Sequence, residues 1–107
     1  MLNISANFRV ISNAYLLHKK VEPGRAEKTL EAFDELGTKQ LPKPTSGKQI
    51  FVNSNEGGVL INLGTTALGE SASTDERLNL GKCLVEFYYR DLNGELSLAD
   101  VSENLMY

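Results

Sequence analysis

The chain has 107 residues and a formal net charge of −3, with 41% hydrophobic and 23% charged residues. That balance describes one globular domain, spanning 1–107, and excludes a collagen, a coiled coil and a disordered tail. A single cysteine and a single histidine exclude a disulfide framework, a cysteine-cluster zinc site and any centre that needs two imidazoles.

Charge is unevenly spread. Residues 1–48 hold eight Lys/Arg against five Asp/Glu, and residues 49–107 hold three against nine. An acidic average opposes nucleic-acid binding, which needs cations to neutralise phosphates. The asymmetry itself reads either as two differently decorated surfaces or as a basis for association between unlike halves. The first ten residues lack the basic and apolar regions of a secretory signal. A free cysteine with no signal predicts a cytoplasmic protein. Asn3-Ile4-Ser5 has the form of a glycosylation sequon, whose use would need secretion. No apolar run approaches ~18 residues, so no membrane partner is expected.

Residues 8–21 are rich in β-branched and aromatic types and alternate, which predicts a strand. A helix through Val10, Ala14, Leu17 and Val21 is the competing reading. Pro23 suits the first position of a helix, where its missing N–H is no loss. Ala26, Leu30 and Phe33 then recur at helical spacing, and Leu36 and Gly37 close the segment. Pro42 and Pro44 make 38–48 a loop. Gln49–Asn53 and Val59–Gly64 are short apolar runs flanking Ser54-Asn55-Glu56-Gly57-Gly58, which has the residues of a turn, so 49–64 predicts a β-hairpin.

Residues 65–73 read as a loop. Thr74 followed by Asp75 and Glu76 opens a second helix, with the acids at its positive end. Leu80, Leu84, Phe87 and Tyr88 form its apolar face, and Asn93-Gly94 ends it; a strand over 83–89 is the rival. Residues 95–101 alternate and suit a closing strand, although Ser97 to Asp100 also fits a capping box opening a short helix.

The expected order is β-α-β-β-α-β, an α+β ferredoxin-like sandwich. Its sheet would turn Val10, Ala14, Leu16, Ile50, Val52, Val59, Ile61 and Leu63 toward the helices. The other face would carry Asn13, Tyr15, Gln49, Phe51, Asn53, Leu60 and Asn62. An uncovered face holding Tyr15, Phe51 and Leu60 predicts a homodimer.

Val21-Glu22-Pro23-Gly24-Arg25-Ala26-Glu27, followed by Leu30, Phe33 and Leu36, resembles the first strand-to-helix junction of the antibiotic-biosynthesis-monooxygenase-like group. The run from Gln49 to Leu63 is similar to that group's next hairpin, so the resemblance covers about 8–64. It implies a dimeric α/β barrel and cofactor-independent oxygenation or cyclisation of an aromatic or polyketide-like substrate. Members commonly carry a tryptophan after the third strand, which this chain lacks. Lys82, Cys83 and Leu84 stand where haem-degrading members place a histidine, so no catalytic residue carries over.

Individual motifs favour structural readings. Pro44 to Gln49 lacks the first glycine and the final Ser/Thr of a phosphate loop. His18 has lysines beside it and no neighbouring carboxylate to orient it, as at a surface or a strand edge. Cys83 lies in an apolar stretch, where a thiol is inert. Phe87, Tyr88 and Tyr89 read as core or interface. The candidate ligand-binding set is Asn13, Tyr15, Phe51, Asn53 and Asn62: amides and aromatics on one sheet face, suited to orienting a small organic molecule without charge. The alternative is a non-enzymatic, small acidic protein-interaction module of accessory or phage type.

Overall fold

The computed structural model describes residues 2–43 and 54–104. Every regular element among them is helical: α1 (Ala6–His18), α2 (Pro23–Asp34), a 3-10 turn at Thr38–Gln40, α3 (Ser54–Leu68), α4 (Thr74–Leu92) and α5 (Leu98–Asn104). There is no sheet among these residues, which overturns the ferredoxin-like α/β-barrel expectation.

The first correction is residues 8–21, which lie mostly in α1 and not in a strand. Ser5 caps this helix, its Oγ accepting from the Phe8 N–H at 3.0 Å, so a cap does precede the segment. Phe8, Ile11, Ser12, Tyr15 and Leu16 are buried together. Their 3–4 spacing is one helix face, and burial of that face outweighs the modest strand preference of Val10 and Ile11. The competing helical reading has the right element and a mixed face: Ala14 and Val21 belong with the core, whereas Val10 and Leu17 point outward.

The second correction is the hairpin. Ser54 to Gly58 begins α3, and Val59 to Gly64 continues it; Gln49 to Asn53 fall outside the described residues. The glycines do not make a turn. A Cβ on Gly64 would sit 2.1 Å from the Arg77 carbonyl oxygen, and one on Gly81 would sit 2.4 Å from that of Leu60. Each glycine therefore admits the backbone of the opposite helix, and the two contacts together set α3 and α4 antiparallel. The expected loop over 65–73 is helical up to Leu68.

The readings of the helices at Pro23 and after Ser73 stand, while that of the closing strand does not. Pro23 occupies the first turn of α2. α4 begins with a capping box in which the Ser73 Oγ accepts from the Glu76 N–H at 3.0 Å and Glu76 reaches back to the Ser73 N–H; the cap is one residue before Thr74. Gly94, at φ +73°, follows its end. Residues 98–101 belong to α5 and not to a closing strand. The Asp100 carboxylate accepts from the Ser97 N–H at 2.9 Å, half of the capping-box arrangement.

Neighbouring helices run antiparallel around a ring. The Leu2 N–H donates to the Asp34 carbonyl at 2.8 Å, placing the entry to α1 beside the end of α2. Gly69, just beyond α3, lies against Arg25 in the first turns of α2. Ser5 meets Asp91, so α1 starts where α4 ends. This is the up-and-down order of a four-helix bundle, with α5 packed on α1. Phe8, Phe33 and Tyr88 bring α1, α2 and α4 together: Phe8 stacks on Phe33 at 5.0 Å, and Tyr88 lies 5.8 Å from Phe33. α3 adds Leu60, Leu63 and Ala67 to this core.

Candidate interaction surface

α1 has two contrasting faces. The inner one is fixed by packing against α2 and α4. On the outer one Ala6, Val10, Asn13 and Leu17 recur at intervals of four, three and four. Val10 is 63% exposed and Leu17 43% exposed; Ala6 is exposed and Asn13 half-buried. A helix already held by its inner face therefore presents a second, partly apolar stripe to solvent. Arg9 flanks the stripe, and His18 and Lys20 lie at its C-terminal end, all three exposed. Lys19 Nζ lies 5.8 Å from the centre of the Tyr15 ring.

The ends of α1, α4 and α5 are joined by polar groups. The Ser5 hydroxyl donates to Asp91 Oδ2 at 2.6 Å, and Asn7 Nδ2 donates to Asp91 Oδ1 at 3.0 Å. Asn7 also donates to the Leu96 carbonyl at 3.2 Å. The Asp91 carboxylate thus sits by the α1 N-terminus, where the helix dipole favours an anion. Arg90 Nε lies 2.9 Å from Asp100 Oδ1, tying α4 to α5. Leu92 and Leu98 remain exposed in this region.

Where α1 faces α4, the Tyr15 hydroxyl and the Cys83 thiol share a hydrogen bond. Tyr15 also meets the edge of Phe87 at 5.4 Å. Burial pushes the Cys83 thiol up to about 12; the Tyr15 hydrogen bond and Lys19 oppose that rise, while Glu86 and Asp100 reinforce it. Burial likewise raises the Tyr15 phenol well above its ordinary value, and Cys83 adds to the rise. A protonated, enclosed thiol is a packing group, as its apolar surroundings in the sequence indicate. Phe87 and Tyr88 are also buried, whereas His18 is exposed. Among the described residues no three His, Cys, Asp or Glu side chains form a metal-binding group. No helix among them is long and apolar enough to cross a membrane.

The expected amide-and-aromatic face is not assembled as drawn. Tyr15 is buried between α1 and α4, Asn13 lies half-buried on the outer side of α1, and Asn62 is exposed on α3. Phe51 and Asn53 fall outside the described residues. Tyr15 and Leu60, whose exposure was to drive dimerisation, are both in the core. Of the five, Asn13 alone belongs to the α1 stripe. The stripe is legible in the sequence once 6–18 is taken as a helix, because four-three-four spacing then separates it from the inner residues.

No protein-family model, curated protein or solved structure matches the chain. The resemblance to the monooxygenase-like group finds neither support nor refutation there.

Proposed function

We propose that the chain is a non-enzymatic protein-interaction module that engages its partner through the outer face of α1. The observation that carries this reading is the exposure of Val10 and Leu17 on one side of a helix whose opposite side is locked into the core. Single exposed aliphatics are ordinary, but two of them on one stripe of a helix packed along its other side form a presented surface. The oxygenase or cyclase expectation came from the monooxygenase-like resemblance and set its ligand on a sheet face; among the described residues there is no sheet to supply that face.

A photo-crosslinking amino acid placed at Val10 tests the reading in the cells that make the protein. It yields a discrete protein adduct, and Leu17→Asp abolishes that adduct while the helical circular dichroism is unchanged. The same crosslinker at Glu27, exposed on α2, gives no such adduct. Equal labelling from both positions, or none from Val10, overturns the reading.

A further inference from the structure

The occupant of this face can be specified from its spacing and its charge. We propose that α1 docks an acidic amphipathic helix of a partner protein, which lies along Ala6, Val10, Asn13 and Leu17 as the second member of a short two-helix seam. The inference rests on the reading of α1 as the docking face and adds the partner's chemistry.

Four-three-four spacing is the repeat that keeps one side of a helix facing another helix. In that register Val10 and Leu17 occupy equivalent positions, and Ala6 and Asn13 occupy the alternate ones. The stripe runs about 16 Å at 1.5 Å per residue, roughly three turns, so it fits a segment of similar length. A small residue at position 6 admits close approach. An amide at position 13 offers both a donor and an acceptor inside the seam, and a polar residue at one such position fixes register.

Charge decides the partner's sign. Residues 1–21 contain no Asp or Glu and carry Arg9, Lys19 and Lys20, whereas residues 22–107 carry eight Lys/Arg against fourteen Asp/Glu. Net positive charge is thus concentrated on the segment that bears the stripe, with Arg9 and Lys20 exposed, while Asp91 of α4 meets its N-terminal end and is engaged there by Ser5 and Asn7. A second copy pairing α1 with α1 would set cationic segments side by side, which is unfavourable. A helix with an apolar stripe and acidic flanks complements both the stripe and the sign. A bilayer is a poorer match, because the stripe is narrow, has Asn13 within it and exposes no aromatic ring.

Two synthetic peptides of about three heptads test this, sharing one leucine pattern but flanked by Glu in one and by Lys in the other. Each is titrated into the full-length, isotope-labelled protein and followed by amide chemical shifts. The expected result is that the Glu peptide shifts amides within 6–20 and binds about tenfold more tightly than the Lys peptide, with the advantage shrinking in high salt. Leu17→Asp removes the response without loss of helix. Equal affinity, a preference for the Lys peptide or shifts centred on another helix overturns the proposal. So does self-association of the protein that Leu17→Asp abolishes, which makes a second copy the occupant. Binding to phosphatidylglycerol vesicles without a peptide response overturns it in favour of a membrane surface. If the Val10 crosslink stays specific while the Glu peptide shows no preference, the acidic helix is wrong and the interaction face stands. If the Val10 crosslink is absent, the face itself is lost.

Discussion

Along the first half of α4, Gly81 and the backbone at Arg77 meet α3 with nothing between the main chains, whereas at its far end Arg90 and Asp91 reach α5 and α1 through side chains. The first junction is set by volume. An extra methyl there meets a carbonyl oxygen, and backbone cannot rotate aside. The second is set by donors and acceptors, so a lost bond can be replaced in part by water. One helix therefore carries a junction that tolerates almost no change and another that degrades by degrees.

Gly64→Ala presses hardest on this contrast. In an open helix the change would gain about 1 kcal/mol. Here the methyl would lie 2.1 Å from the Arg77 oxygen, and the helices must part. A net loss of about 3 kcal/mol is expected, at the upper end of overpacking costs, read as a lower urea midpoint. A midpoint equal to or above the parent's would show that the glycines are not steric keys.

At the polar junction, Arg90→Met takes the cation from Asp100, whose side chain is only 4% exposed. A loss of about 2 kcal/mol is expected, in the range for hydrogen bonds to charged groups. Amide exchange should quicken in α5 while the amides around Gly64 and Gly81 keep their protection. Uniform quickening along the chain would mean that the two junctions do not act separately.

The α1–α4 contact between them responds to alkali. The Cys83 thiol is raised from 9.0 to about 12 in the folded chain, so between those values the unfolded thiol loses its proton while the folded one keeps it. The unfolded state then binds fewer protons, and stability falls as pH rises through that window. Tyr15, shifted in the same direction, extends the fall upward. Urea midpoints measured from pH 8 upward should decline, and Cys83→Ala should flatten the lower part of that decline. A parent protein with a flat profile would contradict burial of the thiol.

Gly58→Ala gives the smallest effect and the opposite sign to Gly64→Ala. Gly58 is an exposed residue of α3, and an added Cβ meets nothing within 4 Å. A gain of about 0.5–1 kcal/mol is expected from the lower entropy of the unfolded chain. The same exchange, made twice in one helix with opposite outcomes, would locate the seam to within two turns.

These glycines also explain what could and could not be read from the sequence. α2 and α4 were legible because their signals are local: Pro23 at a first turn, acids after Ser73, glycine after Asn93. α3 was not, because Gly57 and Gly58 have the chemistry of a turn, and only a second helix gives a glycine such as Gly64 its purpose. α1 was misread for a different reason. Ser12 breaks the apolar inner face, and Val10 and Leu17 add an outer one, so apolar residues occur on both sides and imitate alternation. The candidate site followed the same fault: Asn13 and Tyr15 took opposite roles once the segment became a helix, and Asn62 moved to solvent with α3.

The distance along the chain that each junction spans also orders events in time. The α3–α4 seam joins positions 13 and 21 residues apart, whereas the bonds from Ser5 and Asn7 to Asp91 and Leu96 span 84 to 89. Each doubling of a closed loop costs only about 0.6 kcal/mol more, but that cost falls due before the contact can repay it. On loop length alone the α3–α4 seam closes more cheaply than the Asp91 corner. Bonds made after the barrier lengthen the lifetime of the folded state without hastening its formation. In synthesis α1 precedes its partners: Phe8 can meet Phe33 as soon as α2 is made, whereas the edge of Tyr15 and the hydroxyl of Ser5 wait for Phe87 and Asp91 of α4.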